Sequence, residues 1–282
     1  MLEAVIASIG YAGGVVADKI ILCRHRVPVL RFIPLLFIWL AIISAIFLPL
    51  YGSINWNGLL TAQYIILFIL LIVVAVTWNI FYYKGIQKEE IHEFELIMLL
   101  SPLVTILLAT IFLPKERDWT IFVAAVVASG ALLATRFRHH HMKIGRTAWQ
   151  TMLAMVLMSA ESIFIKEMLA VMSPVTLYFI RTAIVGLVFL IAYRPKLFSM
   201  PRTAYGLTII SAIFGVVQMV LKFYGFDSLG VVETTMILVL GPFLVYFASS
   251  YYFKEQLYKR DIFAAVIVIL CILFVTFKNS FL

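Results

Sequence analysis

The sequence predicts an all-α integral membrane fold, ten transmembrane helices arranged as two inverted five-helix repeats. Three observations carry this prediction. Of 282 residues, 64% are apolar and 13% charged, with a mean hydropathy of +1.07; soluble domains carry about 25% charged residues. Ten apolar runs approach the roughly 20 residues that a bilayer crossing needs. The two halves of the chain also repeat one another, and five spans per half is an odd number, so the second half must enter the membrane upside down.

The first run, 2–22, lacks a basic leader and a small-residue cleavage site, so it reads as a span and not a signal peptide. It holds the small-xxx-small pair Gly10 and Gly14, a packing pattern in membrane helices. The runs 31–50 and 61–83 follow, the latter with Trp78 and Asn79. Run 91–113 opens near Glu93 and contains Pro102, and 119–135 completes the first half. Run 149–172 carries Glu161 about twelve residues from either end, and 174–193 has Arg181 well inside it. Run 204–224 contains Gln218 and Lys222, 231–252 opens near Glu233 and contains Pro242, and 261–278 is the last. No soluble domain fits between them.

The longest and most polar connection, RFRHHHMKIGRTA from Arg136, divides the chain into a repeat over 1–138, a basic connecting loop over 139–148 and a repeat over 149–282. KGIQKEEIHEFELIMLLSPLVTILLATIFLPKE (84–116) lies over YGFDSLGVVETTMILVLGPFLVYFASSYYFKE (224–255). This register sets Gly85 on Gly225, Glu93 on Glu233 and Pro102 on Pro242. Earlier, GGVVADKIIL (13–22) matches AESIFIKEML (160–169), setting Lys19 on Lys166. The period identifies the architecture before any single residue does.

The net charge of +8 is dispersed among short loops, with no stripe or motif for nucleic acid. Fifteen of the 22 Lys and Arg fall in loops 1–2, 3–4, 5–6, 7–8 and 9–10, against five in the other loops and termini. That bias puts the first set in the cytoplasm and both termini outside a cell membrane, inner or plasma. Cys23 and Cys271 lie in or beside separate spans, without a CxxC pair, and indicate neither a disulfide framework nor a metal knuckle.

The run beginning YGFDSLGVVETTMILVLGPFLVYFASSYYFKE resembles the second repeat of the EamA-type transporters of the drug/metabolite transporter superfamily, and SPVTLYFIRTAIVGLVFLI (173–191) sets Arg181 on that family's arginine. The first half departs from the Ser-Pro-to-Arg spacing, because Leu35 stands seven residues after Pro28. The resemblance implies a ten-helix secondary transporter of small metabolites, with a central cavity lined from both halves. Amino acids and drug-like amines are the expected substrates, exported by alternating access with a proton or another ion coupled. The alternative is a lipid flippase or lipid-modifying protein embedded in the membrane.

Glu161 is the sharpest chemical signal, since a mid-span charge costs about 2.5–3.5 kcal/mol on insertion scales. Two readings stand: a coupling or amine-recognising carboxyl in a wet cavity, or a structural pair. Trp78, Asn79, Gln218 and Lys222 are read as cavity lining, with interhelical glue as the equal alternative for the amides. Lys19 and Lys166 read as end-of-span anchors that snorkel, or as cavity groups repeated in both halves. Arg181 is expected to hold the fold through a carboxylate or carbonyls, and Glu93 and Glu233 to complement helix starts. Pro102 and Pro242 loosen their helices at matched depth.

Three adjacent residues, His139 to His141, do not converge on one metal, and HEFEL (92–96) fails as a zinc-protease helix at Leu96. No Walker loop or GxSxG turn is present. No enzyme activity, cofactor or metal is therefore expected. The expected partners are a small-molecule substrate, a coupling ion and the surrounding lipids.

Overall fold

A computed structural model describes residues 1–88, 94, 97–136, 146–195, 200–253 and, in the last span, 263, 266, 267, 269–271, 273 and 274. Glu93, the histidine run 139–141 and most of the expected tenth span lie outside the described residues.

The described chain is helical throughout. Helix α1 (Leu2–Lys19) continues through a π-helical turn, Ile20–Arg24. Helix α2 spans Val29–Tyr51 and α3 spans Ala62–Lys88, with a short turn of helix at Trp56–Leu59 between them. Helices α4 (Ser101–Phe112) and α5 (Trp119–Arg136) follow. Asp118 starts α5, its Oδ1 accepting from the amides of Thr120 (2.8 Å) and Ile121 (3.3 Å). The second half comprises α6 (Arg146–Met168), α7 (Pro174–Tyr193), α8 (Arg202–Ser228), α9 (Val231–Leu238) and α10 (Leu240–Phe253).

Six of these helices are long and apolar enough to cross a membrane, α1 to α3 and α6 to α8, with shorter apolar stretches at Ser101–Phe112, Trp119–Ala131 and Val231–Pro242. Ile42, Ile46, Ile66, Ile69, Val73 and Val123 point outward and exposed. Trp56, Trp119 and Trp149 are exposed at helix starts, where an interfacial belt would hold them. This is a multi-pass membrane protein.

The run expected at 231–252 is two helices, broken at Val239 just before Gly241 and Pro242. The run expected at 91–113 breaks in the same register, with a turn at Leu99 and Leu100 before Ser101 and Pro102. Proline lacks an amide hydrogen and clashes with the preceding turn, so each helix restarts there.

Packing follows an exchange of halves. Helix α1 packs on α8 while α6 packs on α3, and α2 packs on its counterpart α7. Gly10 sits where a Cβ would stand 3.0 Å from the backbone of Phe214 and of Gln218, and further along α1 Asp18 bonds Ser211. Positions rise on one helix as they fall on the other, so α1 and α8 run antiparallel. Helices α3 and α6 do the same, Trp78 meeting Glu161 and Gly85 meeting Thr151.

Two loop contacts tie the halves together. The amide of Asn55 donates to the Val171 carbonyl at 2.8 Å and that of Ser173 to the Ser53 carbonyl at 3.0 Å, flanking an antiparallel bridge between Ile54 and Met172. Glu116, after α4, accepts from the amides of Val231 (2.6 Å) and Val232 (3.2 Å) at the start of α9. Gly230, at φ +90°, makes this approach possible: a Cβ there would stand 2.9 Å from the Glu116 carboxyl carbon.

Candidate functional site

A central cavity lies between the two halves, walled, among the described residues, by side chains from every helix except α5. Equivalent residues of the two halves line it. Pro102 and Pro242 both line it, as do Trp78 and Gln218, which occupy matching positions on α3 and α8. The aromatic walls are Trp78, Tyr82, Tyr83 and Tyr178, and three charged residues reach the lining: Asp18, Arg181 and Lys222.

Of the residues that the sequence assigns to the cavity, Trp78, Asn79, Gln218 and Lys222 line it, while Glu161 and Lys19 do not. Glu161 is 1% exposed and sits behind the wall. Its Oε1 accepts from Arg181 Nε at 2.6 Å and its Oε2 from Trp78 Nε1 at 2.8 Å. The Arg181 guanidinium also lies over the Trp78 ring, 5.8 Å from its centroid. The pair thus joins α6 to α7 and, through Trp78, to α3. A buried carboxylate compensated in this way holds its neighbours in place.

Asn79 bonds within its own helix, its Nδ2 donating to the Ala75 carbonyl at 2.8 Å. Lys222 Nζ lies 3.4 Å from the Ser162 hydroxyl and 5.1 Å from the Phe226 ring centroid. Asp18, 5% exposed, accepts a hydrogen bond from Ser211 of the opposite half.

Lys19 Nζ donates to the Ile86 carbonyl at 2.7 Å, and Lys166 Nζ to the Phe226 carbonyl at 2.6 Å. Ile86 and Phe226 are equivalent by the 140-residue register, so in each half the lysine near the end of the first helix caps the third. Lys166 also lies 3.5 Å from Glu116. Glu233 stands in the first turn of α9. Among the described residues, no cluster of His, Cys, Asp or Glu could hold a metal ion.

Two participants are missing from the sequence reading. Asp18 stands beside Lys19 in the first apolar run, and the cost of a buried charge applies to it as fully as to Glu161. Ser211 carries no signal of its own until α1 is laid against α8.

The EamA-like transporter family profile matches residues 1–137 and 146–277, two tandem copies that cover nearly all of the chain. The chain belongs to the EamA-like transporter family. A crystal structure of another protein, 14% identical, superposes on it with a TM-score of 0.75 over 96% of this chain and 95% of that one. At this identity the likeness speaks for the fold alone. No curated protein matches the sequence.

Proposed function

We propose that this protein is a secondary active transporter that exports small amphipathic metabolites, such as amino acids or drug-like amines, by alternating access. The observation that carries the reading is the cavity between the halves, with matched prolines, Pro102 and Pro242, in its walls where equivalent helices break. Broken helices at equivalent points of two repeats are the usual address of a transporter binding site.

The antiparallel registers of α1 with α8 and of α3 with α6 support two inverted halves, because Lys19 with Ile86 and Lys166 with Phe226 set the first and third helices of each half level at their ends. Ten spans follow if the last run crosses as its composition suggests. Rocking one half on the other then opens the cavity to one face at a time. The loop charges support termini outside and the basic loops in the cytoplasm.

With no nucleotide motif in the sequence, an ion or substrate gradient drives the cycle, a proton being the expected coupling ion. Glu161 enters this mechanism through Arg181 and Trp78, which it holds at the wall. Radiolabelled amino acid efflux from proteoliposomes, with and without a pH gradient, tests the proposal. Equal leakage from protein-free vesicles for every substrate tried would overturn it. A cytoplasm-specific reporter that is active when fused after Leu282 would overturn the orientation.

A further inference from the structure

Charges at the Arg181 end of the cavity do not balance. Arg181 is neutralised by Glu161 through Nε, yet its Nη2 is buried with no hydrogen-bond partner, and the residue is only 2% exposed. Lys222 lies within electrostatic range of both. It makes no ion pair among the described residues, having only the Ser162 hydroxyl and the Phe226 ring beside its ammonium. Two cations and one anion leave one positive charge at the cavity wall, and an unpaired ammonium inside a membrane span is expensive.

We propose that Arg181 and Lys222 form an anion subsite that takes the carboxylate of the transported metabolite. Arg181 Nη2 and Lys222 Nζ donate to the two carboxylate oxygens, the charge-assisted arrangement that a guanidinium and an ammonium satisfy best. Trp78, fixed by Glu161 and stacked under Arg181, flanks the same subsite with an apolar face. This inverts the polarity that the sequence suggests: Glu161 is spent on Arg181, and the cavity there offers cations.

Asp18 does not serve this carboxylate. It is bonded to Ser211, which precedes Lys222 on α8 by eleven residues, about 16 Å along the axis at 1.5 Å per residue. The acid therefore stands apart from Lys222 along α8 and is not the counter-charge of its ammonium. The subsite rests on the transport reading for its cargo but not for its chemistry.

The test is calorimetric binding to the purified full chain in detergent, using straight-chain and aromatic carboxylates from acetate to 3-phenylpropionate, each beside its primary amide and with inorganic phosphate alongside. Wild type is expected to bind at least one acid about tenfold or more tightly than its amide. Lys222→Met should remove that preference and Lys222→Arg restore most of it. The inference is overturned if no acid binds more tightly than its amide, if phosphate binds as well as the best acid, or if Lys222→Met keeps the preference. The acid-over-amide comparison in wild type needs no variant, so a poorly folded mutant does not rescue the idea. Acid binding through Lys222 without flux in vesicles would sink the transport reading alone, and flux without acid preference would sink the subsite alone.

Discussion

Arg181 Nε meets Glu161 Oε1 at 2.6 Å in a setting where the two side chains are 3% and 1% exposed, and Trp78 completes the group from a third helix. Removing one member of such a pair is far worse than removing both. Glu161→Gln should lower stability by about 3–5 kcal/mol, leaving Arg181 buried without a counter-charge. The double variant Glu161→Gln with Arg181→Met should recover much of that loss. Thermal melting in detergent checks this, and a single variant that melts like wild type would refute the pairing.

Glu116 reaches across the halves to cap α9. If that contact latches one face of the cavity, Glu116→Gln should weaken closure by about 1 kcal/mol, close to fivefold in the open population. The readout is labelling of Thr235→Cys, a cavity residue, by an impermeant maleimide in a background with Cys23 and Cys271 replaced by Ser. Unchanged labelling from both faces would mean that the contact is only a cap.

Gly10 and Gly14 share a motif but not an environment. A Cβ on Gly10 meets the α8 backbone at 3.0 Å, whereas one on Gly14 has only the Phe214 Cβ near it, at 3.9 Å. Gly10→Ala is expected to cost about 1–3 kcal/mol by forcing α1 off α8, with Gly14→Ala close to neutral in stability. Equal melting shifts for the two would contradict this packing.

Lys19→Met and Lys166→Met should each cost about 1–2 kcal/mol, because each removes a charged donor from a helix-terminal carbonyl. Their effects should be nearly additive, the two lysines being in opposite halves. Chemical unfolding of both singles and the double variant measures this. A free, snorkelling lysine would instead be replaceable at almost no cost.

Much of this was legible in the sequence because hydropathy and the 140-residue register are properties of the chain alone. Helices α1 to α3 and α6 to α8 coincide closely with the apolar runs, and Pro102 and Pro242 announce the two breaks. The need of Arg181 for a carboxylate was also legible, since a guanidinium in a span must be compensated. What escaped was which side of a wall each polar group faces. Glu161 sits mid-run whether it points at cargo or at Arg181, and helical spacing says nothing about the helix opposite. Glu116 carries no signal in the sequence, because its partners, the amides of Val231 and Val232, are backbone and leave no mark in composition.

The bond between Asp18 and Ser211 joins residues 193 positions apart. At ribosomal rates of about 5–20 residues per second, the acid is made roughly 10–40 s before the hydroxyl that will receive it. Through that interval a nascent first half holds a carboxyl group its own helices do not satisfy, so the unfinished chain carries its own mark of incompleteness. Truncation after the connecting loop should therefore leave a fragment that membrane quality control removes.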